Sequence, residues 1–174
     1  ASLPEIFNIA GYSGTPFLWY LVQMPYAKLG LGIAAQGALH LVIALAVGWL
    51  FAFRAPLPKL AKLPILFSYF FTFEYVAIAR NYALGILLAF LAAHFYRDRE
   101  RHPVRFGLIL FALANVSAHF FFFSLAFFIT ISWTAIKKKV VARQASALIL
   151  GALGLVFAVW QLIPPPDNHW GGVI

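Results

Sequence analysis

The sequence predicts an all-α, polytopic integral membrane protein, one transmembrane domain over residues 1–174, and three observations predict it. Of 174 residues, 63% are hydrophobic and only 10% charged, against about 45–50% and about 25% in soluble domains. The mean hydropathy is +0.88. Long apolar runs alternate with short clusters of Lys and Arg. A soluble globule of this size could not bury so much apolar surface under so few charges. Disorder, a secreted disulfide scaffold and a nucleic-acid-binding domain are excluded as main readings. The chain has no Cys, which removes thiolate metal sites, iron–sulfur clusters and covalent haem attachment. The net charge of +8 comes from 13 Lys+Arg and 5 Asp+Glu. These charges sit between apolar runs, where they act as topology signals and headgroup contacts. Membrane lipids are therefore the expected partners, with no nucleic acid.

The chain opens on Ala1 without a positively charged leader, so the expectation is a processed chain or part of a longer one. Residues 15–28 carry Trp19, Tyr20 and Tyr26 around Pro25. This stretch is short and broken, and reads as a helix lying in the outer interface. Residues 31–53 form an uncharged run of about 35 Å as a helix, long enough to cross. Arg54, Pro56, Pro58, Lys59 and Lys62 then mark a polar loop.

Residues 63–96 would make one helix of about 51 Å, too long for a single crossing. Positive clusters flank both ends, so the stretch reads as a hairpin with spans 63–79 and 80–96. Its apex lies near Glu74 to Tyr82 on the outer side. The same reasoning makes 104–118 and 119–136 a second hairpin, turning at Asn115, Ser117 and His119. A single tilted helix is its rival. The last span is 140–163, ended by Pro164, Pro165 and Pro166. The count is six spans, with both termini outside and the three positive loops inside, as in a bacterial inner membrane.

Two charges fall within apolar sequence. Glu74 and Arg80 are expensive in hydrocarbon, and such residues are functional candidates. Two readings stay open. One is a structural ion pair at the hairpin apex. The other is an outer-face anion or phosphate clamp with Arg80 as donor and Tyr75, Asn81 and Tyr82 adding hydrogen bonds. His119, with Ser117 and Asn115, reads as a polar apex able to hydrogen-bond a sugar or phosphate. His40, His94 and His119 read first as hydrogen-bonded interior residues; His40 and His119 are also chemically suited to a haem or chlorophyll metal. No metal-site motif, P-loop or serine-hydrolase elbow is present in the sequence. The 19 Phe, including Phe120 to Phe123, suit packing and lipid contact, or alternatively a groove for a prenyl chain or carotenoid.

The order of short motifs carries a resemblance. Leu3-Pro4-Glu5 is succeeded by Gly14-Thr15-Pro16-Phe17-Leu18-Trp19-Tyr20 and Phe67-Ser68-Tyr69. Then come Glu74-Tyr75-x-x-Ile78-Ala79-Arg80-Asn81-Tyr82-Ala83-Leu84-Gly85 and Asn115-x-Ser117-x-His119. Over most of its length the chain resembles bacterial polytopic proteins of unassigned function that look like GT-C superfamily glycosyltransferases. In such proteins a Pro-containing segment opens an outer juxtamembrane helix, and a later apex carries an Arg-x-Tyr element, matched by Arg80 and Tyr82. Relatives have His before the Pro where this chain has Thr15. Their catalytic acid lies in a first outer loop ahead of that segment, so the resemblance implies either a longer enzyme or a degenerate relative.

The resemblance implies a polyprenyl-phosphate-linked sugar as donor, its phosphate near Arg80, with Glu74 orienting Arg80. It names no catalytic base in this sequence. The alternative is a non-catalytic subunit of a larger membrane complex, holding lipid, carotenoid or tetrapyrrole, or other membrane subunits, through its aromatic faces.

Overall fold

A computed structural model describes residues 3–13, 15–69, 71, 73 and 80–163. Among the described residues there are eight α-helices and no strand. They are α1 (Leu3–Ser13), α2 (Leu18–Lys28), α3 (Ile33–Arg54), α4 (Lys59–Leu66), α5 (Asn81–Phe95), α6 (Pro103–Ala114), α7 (Ala118–Lys137) and α8 (Val141–Leu162). Three of them, α3, α7 and α8, are long and apolar enough to cross a membrane. At 22, 20 and 22 residues they measure about 33, 30 and 33 Å, the thickness of a hydrocarbon core.

The count of six expected spans is not reproduced. The expected span 80–96 is α5, with 15 residues, and 104–118 shrinks to α6, with 12. At about 22 and 18 Å neither covers the hydrocarbon alone. α6 stops early because Asn115 turns its amide back onto the Phe111 carbonyl at 2.8 Å, while Ser117 is extended at φ −164°. The hairpin turn expected at Asn115–His119 is thus present, and α7 occupies the place of 119–136.

The expected helix 63–79 is interrupted: α4 ends at Leu66, and Tyr69, Phe71 and Phe73 beyond it are again helical. Ser68 is the physical reason. Its hydroxyl donates to the Ile65 carbonyl at 2.7 Å and accepts the Phe71 N–H at 3.3 Å, closing one helical segment and capping the next turn of chain. Residues 74–79 lie outside the described residues. The interfacial segment 15–28 begins its helix only at Leu18, and α1, with no counterpart among the expected elements, precedes it.

α6 packs most extensively against α8, and both against α7. Phe106, Leu110, Ile131 and Ala147 form one core cluster with Ala92 of α5; Ala114, Leu155 and Ala158 form another toward the far end of α6. Between apolar helices in lipid, close van der Waals contact over small residues replaces hydrophobic burial as the cohesive force. Gly107 and Gly154 meet that need. A β-carbon on Gly107 would lie 2.9 Å from the Ala147 Cα, and one on Gly154 2.5 Å from the Phe111 Cα.

α3 packs on α5 through Val47 and Phe51 against Ile86, Leu87 and Phe90. Arg54, Ala93 and His94 line one cavity, so the C-terminal ends of α3 and α5 are neighbours and the two helices run parallel. The outward faces stay apolar, with Val42, Leu45, Trp49 and Phe53 on α3 and Phe122, Ile129, Trp133 and Ile136 on α7 exposed. That surface suits contact with lipid rather than water.

Charge divides the bundle into two ends. Arg54 closes α3, and Lys62 donates to the Ala52 carbonyl at 2.7 Å. Arg97, Arg99, Arg101 and Arg105 sit around the α5–α6 turn, and Lys137, Lys138, Lys139 and Arg143 around the α7–α8 turn. Gln144 of α8 reaches Glu100 of the α5–α6 turn at 3.5 Å, so these turns share one end. The starts of α2 and α5, the α6–α7 turn and the end of α8 meet at the other.

Candidate functional site

The end opposite the cationic turns is built on a chain of neutral amides. Asn115 is fully buried. Its Nδ2 donates to the carbonyls of Phe111 and Gly154, at 2.8 and 3.1 Å. Its Oδ1 accepts from Gln161 Nε2 at 2.7 Å. Gln161 Oε1 in turn accepts the Phe17 N–H at 2.8 Å, and the Leu18 N–H donates to the Asn115 carbonyl at 3.2 Å. Pro16 is buried beside this junction, and Phe17 stands edge-on to Phe157 at 5.2 Å. The start of α2 is thereby clasped to α6 and α8. A buried amide left unpaired would be costly in an apolar bundle, and here each finds partners.

α5 joins the same end. Asn81 Nδ2 donates to the Val116 carbonyl at 3.1 Å, and the Tyr82 and His119 rings meet edge to face with centroids 6.3 Å apart. Arg80 precedes α5 in an extended conformation (φ −123°), as Ser117 precedes α7, and neither side chain caps its helix. Two helix N-termini thus open side by side with their first N–H groups free of side-chain caps. Such termini carry partial positive charge and favour anions. Arg80 and His119 are exposed, Asn81 and Tyr82 half-buried. Ser117 is buried, and its hydroxyl has no hydrogen-bond partner among the described residues.

The fold therefore gathers Arg80, Asn81, Tyr82, Ser117 and His119 at one end. Glu74 and Tyr75, the other two residues singled out from the sequence, lie outside the described residues. So does the ion pair expected between Glu74 and Arg80.

The histidines separate. His40 is 3% exposed, and neither ring nitrogen has a partner among the described residues. His94 is exposed and packs on Phe95. No group of three His, Asp or Glu converges among the described residues. Sequence reasoning passed over Gln161, the amide on which the clasp depends. A lone amide near the end of an apolar helix was the available signal, since such a group needs a partner in the bundle.

No protein-family model matches the chain, and neither a curated protein nor a solved structure matches it.

Proposed function

We propose that the chain is a membrane-embedded, GT-C-like glycosyltransferase unit whose end opposite the cationic turns receives a polyprenyl-phosphate-linked sugar. One observation carries the reading. The Asn81–Val116 hydrogen bond and the Tyr82–His119 contact bring the Arg80-x-Tyr82 element beside Asn115-x-Ser117-x-His119. Arg80 supplies a cation, α5 and α7 supply helix N-termini, and His119 and Tyr82 supply groups able to hydrogen-bond a sugar or phosphate.

In the proposed reaction an acceptor hydroxyl attacks the anomeric carbon of the donor. The new C–O bond forms as the bond to the lipid phosphate breaks, and a carboxylate base takes the hydroxyl proton. Arg80 stabilises the charge on the departing phosphate. The resemblance implies that Glu74 orients Arg80. No residue of this chain is assigned as the base.

The proposed topology puts the cationic turns on the cytoplasmic side of a bacterial inner membrane and both ends of the chain on the outer side. That α3 and α5 run parallel supports six crossings in this proposed topology.

The test is binding of polyprenyl phosphate to the chain in phosphatidylcholine nanodiscs. Arg80→Ala should weaken it by about tenfold or more, the value of a charge-assisted phosphate contact. Arg80→Lys should keep part of it. Equal affinity of wild type and Arg80→Ala, with equal melting temperatures, would remove the clamp.

A further inference from the structure

We propose that the cationic end of the bundle holds a built site for an anionic phospholipid, with its phosphate among the α5–α6 and α7–α8 turns and one acyl chain along α6. A cavity of about 700 Å³ opens there, lined by Arg97, Arg99, Arg101, Lys138 and Arg143 against one carboxylate, Glu100. That carboxylate is already engaged, 3.9 Å from Arg99 Nη2 and 3.5 Å from Gln144 Nε2.

A run of solvated loop charges would keep every cationic head in water. Arg99 does not. It is 7% exposed, with its guanidinium 4.1 Å from the Tyr96 ring centre and Nη1 donating to the Tyr96 carbonyl at 2.7 Å. Its Nε has no acceptor among the described residues. A buried guanidinium with an unmet donor is costly unless an anion completes it. The planar fork of Arg suits phosphate oxygens, and the surrounding cations match their charge.

A second cavity, about 650 Å³, decides between a lipid and a soluble anion. It begins at Arg101, which lines both cavities, and continues past Arg105, Leu108, Ile109 and Ala112 beside Leu88 of α5. From Pro103, at the start of α6, to Ala112 is about 14 Å along the helix, close to one leaflet of hydrocarbon. A soluble phosphate would use the first cavity and ignore the second. A phospholipid fills both, with Arg101 at the junction of headgroup and chain. Trp133 is exposed one turn before Lys137, at the depth where aromatic residues meet headgroups.

The test is native mass spectrometry of the chain in an uncharged detergent, titrated separately with dioleoyl phosphatidylglycerol, dioleoyl phosphatidylcholine and inorganic phosphate. Phosphatidylglycerol should bind at least tenfold more tightly than phosphatidylcholine, whose choline the cations repel. Inorganic phosphate alone should bind far more weakly. Arg101→Gln with Arg143→Gln, both exposed positions, should weaken phosphatidylglycerol by about tenfold or more, as should Leu108→Trp, which fills the apolar groove. Arg99→Gln should do the same; if it fails to fold, the exposed pair decides. Equal binding of the two lipids, or unchanged phosphatidylglycerol binding in the double variant, would overturn the site. Phosphate binding as tight as the lipid, with no effect of Leu108→Trp, would overturn the lipid and leave a soluble anion.

Discussion

Gly154 of α8 and Phe111 of α6 meet with no side chain between their backbones: a β-carbon on Gly154 would stand 2.5 Å from the Phe111 Cα. The close approach lets Asn115 reach the Gly154 carbonyl at 3.1 Å. Gly154→Ala must therefore push backbone, and overpacking of this kind costs about 1–3 kcal/mol. Gly48 faces open space, so Gly48→Ala should be neutral or gain up to about 1 kcal/mol from helix propensity. Thermal melts in detergent compare the two. Equal stabilities would mean that α6 and α8 do not approach so closely.

The amide clasp can be measured as a coupling. Gln161→Leu and Asn115→Leu each strand buried partners, so each should lower stability by about 1–2 kcal/mol. The two share one bond at 2.7 Å, and the double variant should lose less than their sum. Strict additivity would show the bond to be absent in the membrane.

Phe157 ties the first two helices to α8. Its ring lies 5.9 Å from Phe7, 5.2 Å from Phe17 and 5.6 Å from Trp160. Each aromatic pair contributes about 0.5–1.5 kcal/mol beyond its burial. Phe157→Ala should expose α1 to protease, seen as faster cleavage near Ser13 with α8 intact. An unchanged cleavage rate would show that α1 is held by other contacts.

The orientation is open to a simple labelling experiment, since the chain has no native Cys. With Lys138→Cys, a membrane-impermeant maleimide should label only inside-out vesicles. With Arg80→Cys, it should label intact cells only. Labelling of both from the same side would refute the two-ended arrangement.

Much of the fold was legible from charge and run length. The uncharged run at 31–53 became α3 and the run at 140–163 became α8, because about 20 apolar residues without a breaker leave little choice but a crossing helix. Lys and Arg marked the turns at Arg97–Arg105 and Lys137–Lys139. Other features depended on partners that hydropathy does not register. Ser68 ends α4 by one hydroxyl that bonds in both directions, although apolar residues continue past it. α6 is cut to 12 residues by the Asn115 back-bond. Gln161 looked like one polar residue near a helix end, and only the meeting of α2, α6 and α8 gives it a role.

The two ends of the bundle are fastened by different chemistry, and solution conditions must act on each differently. At one end the groups are ions: Arg99 with Glu100, and Arg105 over Phe95 at 3.9 Å. Dissolved salt weakens such contacts where solvent reaches them. At the other end the clasp of Phe17, Asn115, Gly154 and Gln161 contains only peptide and side-chain amides, none of which ionises between acid and base. Raising the ionic strength should therefore loosen the cationic turns first, while acid or alkali leaves the seating of α2 against α6 and α8 untouched.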